Sequence, residues 1–223
     1  MDNIDQYRIV HQESEKYGTG LTFHLPYLAA LLVLIGAKSV LNFGCGKSLL
    51  GELLLSYGVE KKYDYEPAIP ELSHLPNETF DALINTDVLE HIPEGELDKV
   101  LTLFKTISRT SINIPDMQKA RLILPNGENA HCTLKSPEQW QAIFQKHYKH
   151  VCVLPHHSKR HTTIFATDEN IDLGQVKNLI DVVIFTRKEY TLKNFGMTQP
   201  FRRRLRAAVR LLRGNSGFLN KKY

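Results

Sequence analysis

A chain of 223 residues, 42% hydrophobic and 23% charged, has enough apolar side chains for one globular core, which excludes a disordered or fibrous chain. The formal net charge of +4 is unevenly spread: residues 199–223 hold eight basic residues and no acidic one, so the remainder carries +4 minus +8, or −4. Three cysteines at scattered positions, Cys45, Cys132 and Cys152, form no disulfide framework and read as free thiols of a reducing compartment.

Residues 1–18 are polar and acidic, unlike a secretory signal, and the apolar run over 26–37 is too short to span a bilayer, so a soluble, cytoplasmic protein is expected. The stretch KSVLNF (38–43) predicts a buried parallel strand, followed by a glycine turn at Gly44 and Gly46 and a leucine-rich helix that Gly58 ends. Glycines let the backbone approach a ligand, and the helix start is expected to present free N–H groups to it. The third glycine of the dinucleotide fingerprint is absent, since Ser48 follows Lys47. A second strand over 59–67 ends with Asp64 and Glu66, about twenty positions past the turn, where a ribose needs a carboxylate. The bland alternative is a pair of solvated strand-end charges.

A third strand in FDALINTDVLEHIP (80–93) is followed by Asp87, Glu90 and His91, at the carboxyl end where open parallel sheets bind ligands. A helix over 94–108 and a strand over 111–115, stopped by Pro115, come next. Strand and helix alternating in this way predict an α/β, doubly wound, mostly parallel sheet. Between Pro67 and Phe80 there is too little chain for another helix and strand, so a reduced or missing strand is expected there. Asn126–Asn129 form a polar turn, with His131 on the same loop. Ser136 opens a capping-box-like helix start, and Trp140 reads as core. Two strands, HVCVLP and TTIFAT, flank a polar turn holding His156, His157 and His161; with Cys152 their spacing matches no usual zinc pattern, and no metal is expected. The segment DVVIFT (181–186) is an alternative member of that strand pair.

The series VLNFGCGKS, YEPAIPE, FDALINTDVLEHI and LPNGENAH resembles class I S-adenosylmethionine-dependent methyltransferases over about residues 38–145. More narrowly, it is similar to a branch with Y-D-P-A-I, D-V-L-E-H-I and G-R-N-A-H motifs. The resemblance implies a Rossmann-like methyltransferase fold with an antiparallel end and S-adenosyl-L-methionine as cofactor. It implies that Asn42, Gly44, Cys45 and Gly46 form the first cofactor turn, that Glu66 takes the ribose place, and that Asp87 lies beside the cofactor. Glu90 and His91 would face the methyl-transfer site, and His131 joins His91 as a candidate base for an alcohol acceptor. Two departures stand out: Asn42 replaces an aspartate, and Ser48 replaces a glycine.

No N/D/S-P-P-aromatic motif follows the strand over 80–86 and no Pro-Cys dipeptide occurs, which counts against amino- and cytosine-methylating enzymes of nucleic acid. The expected substrate is a small hydroxylated molecule, such as a sugar of a surface glycan or its lipid-linked precursor. The organisation expected is a methyltransferase-like domain with an N-terminal helical segment over 1–167, its completion over 168–198, and a basic tail over 199–223. If helical, 201–214 aligns Leu205, Val209 and Leu212 opposite arginines, the pattern of a helix on the anionic inner face of a membrane. The alternatives are a nucleic-acid methyltransferase clamped by that tail, and a non-catalytic cofactor-binding protein.

Overall fold

A computed structural model describes residues 2–191, so the basic tail and its expected membrane helix lie outside the described residues. Six strands form one sheet in the order β2-β1-β3-β4-β6-β5. They are β1 (Ser39–Phe43), β2 (Lys61–Tyr65), β3 (Ala82–Thr86), β4 (Thr110–Ile114), β5 (His150–Leu154) and β6 (Thr163–Thr167). The first four run parallel, and β6 pairs antiparallel with both β4 and β5. The antiparallel end is thus built from HVCVL and TIFAT, while residues 181–186 lie in a helix. Between β2 and β3 only a single 3-10 turn, Pro70–Leu72, interrupts the connection, which leaves β2 at the sheet edge.

The period-2 rule places the core on both faces. Val40, Ala82, Ile84 and Ile112 point to one side, where they meet α2 (Leu25–Ile35), α3 (Leu50–Leu55) and α6 (Leu173–Thr191). Leu41, Phe43 and Leu83 point to the other, against α4 (Leu97–Ile107) and α5 (Pro137–Phe144). The apolar run over 26–37 is therefore an interior helix: Pro26 starts it and Gly36, left-handed at φ 71°, ends it. Among the described residues no helix is long and apolar enough to cross a membrane. At α5, Ser136 and Gln139 form a reciprocal capping box and Trp140 is wholly buried, as expected of a core residue.

The amino-terminal helix α1 (Asn3–Glu13), capped by Asp2, crosses the carboxyl edge of the sheet. Tyr7 and Val10 pack there with Ala68, Leu124 and Ala130 in a small cluster separate from the two main cores. The strand ends, α1 and α4 together line the cavity described below.

Candidate active site

The glycine turn after β1 is held by the chain itself. Gly44 and Cys45 both donate their N–H to the Tyr65 carbonyl, at 2.7 and 3.0 Å, and Lys47 donates to the Gly18 carbonyl at 3.0 Å. Gly46 N–H donates to Glu66 Oε2 at 3.1 Å. The expectation of free amides is therefore corrected: the positive end of the turn already receives a carboxylate of the same chain. Glu66 Oε1 accepts from Ala68 N–H at 3.0 Å. Each of its oxygens keeps a second lone-pair site, which is what a vicinal diol needs. Burial pushes the Glu66 carboxyl upward against the opposing pull of the two amides.

Both glycines of the turn are required by the backbone. Gly44 has φ 73° and a Cβ there would run into Val88; Gly46 has φ 54° and a Cβ would lie 2.9 Å from the Gly18 carbonyl oxygen. The amino-terminal segment thus rests directly on the turn. Lys47 fastens it further, donating from Nζ to the carbonyls of His11 and Ser14 at 2.7 and 2.9 Å.

Asp64, the other candidate carboxylate, faces elsewhere. It pairs across the strands with Asn42, whose amide donates to Asp64 Oδ1 at 2.9 Å, and its other oxygen accepts from Lys62. It lies beneath the first turn of α3, where a Cβ on Gly51 would be 2.5 Å from Oδ1. Buried Asn42 and half-buried Asp64 therefore form one brace, and neither lines the cavity. Cys45 does not line it either: its thiol is buried, donates to the Gly46 carbonyl, and burial pushes it up to about 12, so it is an inert thiol at neutral pH.

The cavity measures about 710 Å³ and opens at the carboxyl ends of β1, β2 and β3, where Gly44, Gly46, Glu66, Asp87 and His91 share its wall. Apolar and aromatic side chains supply most of the rest, among them Tyr7 and Tyr17 from the amino-terminal segment and Val100 and Leu103 from α4. Such a space suits an amphipathic small molecule held by few polar groups. Tyr7, Tyr17 and the lining atoms of α1 belong to no motif, and nothing in their spacing marked them.

His91 is fixed from behind. The Ala130 carbonyl lies 2.9 Å from Nδ1, and because a carbonyl only accepts, the proton sits on Nδ1 and the Nε2 lone pair is left for another partner. Tyr7 hydroxyl donates to the same carbonyl at 2.7 Å and lies 2.8 Å from Nδ1. The polar stretch forms a β-turn over 124–127, where Gly127 N–H donates to the Leu124 carbonyl at 2.8 Å, and the flanking chain pairs Ile123 with Asn129, next to Ala130. Burial, with the neighbouring His131, lowers the His91 imidazole to about 4, so it is neutral at pH 7.

Glu90 and His131 gather behind His91 but do not line the cavity, which corrects the expectations that Glu90 faces the transfer site beside His91 and that His131 is a second candidate base there. The rings of His91 and His131 are edge to face, 4.7 Å apart. His131 Nδ1 donates to the Gln118 carbonyl, and its Nε2 is 4.0 Å from Glu90 Oε1. Glu90 is wholly buried: Oε1 accepts from Asp116 N–H at 2.9 Å while Oε2 has no partner. Burial first, and the Asp87 charge second, raise its carboxyl well above the ordinary value.

A pH dependence follows from Glu90. Below the unfolded carboxyl value both states hold the proton; as pH rises past it the unfolded chain releases the proton first, so folding stability falls with rising pH. Glu90→Gln, which keeps the acceptor for Asp116 and cannot ionise, is expected to be more stable than the parent at pH 7.5 and no more stable at pH 4. Urea titrations at the two pH values test this; an equal difference at both would show that the carboxyl is ionised in the fold.

Asp87 follows β3 with φ 52°, a left-handed conformation unusual outside glycine. Its N–H donates to the Ile114 carbonyl at 3.0 Å, continuing the β3–β4 ladder one residue beyond β3. Its carboxylate is turned to His24 and His161, so whatever enters the cavity meets Asp87 with both oxygens already faced by imidazoles.

A parallel sheet with an antiparallel end, a glycine turn after β1 and an acidic residue closing β2 define the Rossmann-like methyltransferase fold. Human N-acetylserotonin methyltransferase in complex with S-adenosylmethionine superposes with a TM-score of 0.50 at 13% identity, over 67% of this chain and 52% of that one. The chain thus spans about half the length of that enzyme. A DhpI–S-adenosylhomocysteine complex matches with a TM-score of 0.47 at 12% identity, over 73% of this chain and 93% of that one. An O-methyltransferase family protein from Burkholderia thailandensis gives 0.49 at 11% identity, over 68% and 57%. At these identities the likeness is one of fold. Neither a protein-family model nor a curated protein sequence matches the chain.

Proposed function

We propose that the protein is an S-adenosylmethionine-dependent methyltransferase that methylates an oxygen of a small hydroxylated acceptor. The observation that carries this reading is Glu66, a residue of the cavity wall whose carboxylate is anchored to the amides of Gly46 and Ala68. It supplies the ribose-binding acceptor of such a cofactor at the sheet edge where the fold binds ligands. The methyl-transfer cofactor of the human enzyme named above supports the same assignment here.

Asn42 bears on the non-catalytic alternative. Its side chain braces Asp64 away from the cavity, so the missing first-motif charge is not missing from the cavity wall. A bound S-adenosylmethionine, held by Glu66 and the Gly44–Gly46 turn, would supply the methyl group to the acceptor oxygen in line, with S-adenosylhomocysteine as the leaving product. His91 Nε2 takes the acceptor proton, since Nδ1 is committed to Ala130. Alignment of the two reactants supplies the larger share of the rate, as displacement at a sulfonium has a good leaving group.

For the acceptor we favour a sugar hydroxyl of a glycan or its lipid-linked precursor, on the ground that motifs for amino and cytosine acceptors are absent. The basic tail, read as a peripheral membrane contact, belongs to the same proposal. Labelled S-adenosylmethionine offered with panels of sugars, glycans and nucleic acids tests the reading. With an accepted substrate, His91→Ala is expected to lower kcat by about 10²-fold or more while binding of S-adenosylhomocysteine stays within a few-fold. The parent kcat is expected to stay level from pH 8 down to about 5, because His91 remains neutral over that range. A loss of cofactor affinity with unchanged kcat would remove His91 from the transfer step.

A further inference from the structure

The 3-10 turn Leu21–His24 and the β5–β6 turn bring two imidazoles to the carboxylate of Asp87 from opposite ends of the chain. His24 Nε2 is 3.2 Å from Asp87 Oδ2, and His161 Nε2 is 3.1 Å from Oδ1. The ligand-competent atoms of the three residues lie within 4.8 Å of one another. A cation bound at the usual distances of about 2.0–2.2 Å sets tetrahedral ligand atoms about 3.3–3.6 Å apart; here each imidazole nitrogen stands 3.1–3.2 Å from its own oxygen of the one carboxylate.

Both rings turn Nε2 inward and have Nδ1 held from outside. His161 Nδ1 is 3.0 Å from Ser158 Oγ, and His24 Nδ1 is 3.3 Å from His156 Nε2. An outer partner on the second nitrogen is how metal-ligating imidazoles are oriented and kept in one tautomer. The His161 approach to Asp87 is also poorly aligned as a hydrogen bond, so that Oδ1 has no aligned donor although Nε2 is 3.1 Å away. At φ 52° the Asp87 backbone holds an unusual conformation that places the carboxylate between the rings.

We infer that His24, Asp87 and His161 form a binding site for one divalent transition cation. Two imidazoles and a carboxylate suit zinc and leave a coordination position open. Asp87 is the member that also lines the cavity, so the cation ties the amino-terminal turn and the β5–β6 turn to the cavity wall. The nearby Glu90, His91 and His131 group is a poorer cradle. Glu90 Oε1 is engaged by Asp116 N–H and stands 4.0 Å from His131 Nε2. The inference goes beyond methyl transfer and does not depend on it, because it is read on the chain without cofactor.

The test is calorimetric titration of the chelator-stripped full chain with Zn²⁺, repeated with Co²⁺ while following its visible absorption. One cation per chain is expected. His161→Ala is expected to weaken binding at least 100-fold, and Ser158→Ala, which leaves the ligands in place, about 10–100-fold. His131→Ala is expected to leave binding unchanged. Circular dichroism of each variant establishes that it is folded. Absence of stoichiometric binding by the parent, retention of binding in folded His161→Ala, or its loss in His131→Ala would each overturn the assignment.

Discussion

Gly46→Val is expected to remove measurable binding of S-adenosylhomocysteine, a fall of at least about 100-fold. The turn holds Gly46 at φ 54°, and a Cβ would lie 2.9 Å from the Gly18 carbonyl oxygen and 3.0 Å from Gly18 Cα. Both are backbone atoms, so no side-chain rotation relieves the contact. The valine must displace either the glycine turn or the segment that carries Tyr17 and Gly18, and both border the cavity. In the first case Glu66 also loses the Gly46 amide that anchors it. Gly58→Ala is the control, since Gly58 has φ 97° with nothing near its Cβ position. It carries the same kind of backbone strain at a place remote from the cavity and is expected to bind as the parent does. A folded Gly46→Val chain with parental affinity would move the cofactor away from this turn.

The second large effect is expected at Glu66. Its carboxylate offers two charge-assisted hydrogen bonds to a ribose, each contributing about 1.5–3 kcal/mol, so Glu66→Ala is expected to weaken cofactor binding by about 10²–10⁴-fold. Asp64→Ala removes a carboxylate already occupied by Asn42 and Lys62 and absent from the cavity wall. It is expected to lower stability and change affinity by a few-fold at most. Calorimetry on the two variants separates them. The reverse order would give the ribose to Asp64 and require the Asn42 brace to open on binding.

Much of the fold was legible because its signals are local. Continuous burial along 40–43 and 82–86 follows directly from apolar residues on both faces of a central strand. The fourteen-residue span of Pro67 to Phe80 has no room for an extra strand and helix, and it holds only a 3-10 turn. DVVIFT was ambiguous for a physical reason: its β-branched residues favour a strand. In the fold, Val176, Leu179, Ile180 and Val183 recur at helical spacing and bury against α2, and tertiary packing prevails over propensity.

The site was legible only in part. Glu66 and the glycine turn stand on one linear motif each, whereas their mutual hydrogen bond spans 20 residues. The amides of the turn look free in a motif and are satisfied in the fold, because Tyr65, Glu66 and Gly18 return to them. Tyr7 meets Ala130 across 123 positions and His91 across 84, separations that leave no trace in local spacing. The histidines of the β5–β6 turn fit no zinc pattern among themselves, and the carboxylate and the second imidazole that join His161 come from residues 87 and 24.

The most direct measurement is calorimetric titration of the full chain with S-adenosylhomocysteine, beside the Glu66→Ala variant. One molecule bound per chain, with the affinity collapsing in Glu66→Ala, is the predicted result. No binding by the folded parent chain, or equal binding by the variant, would contradict a methyltransferase site built on Glu66.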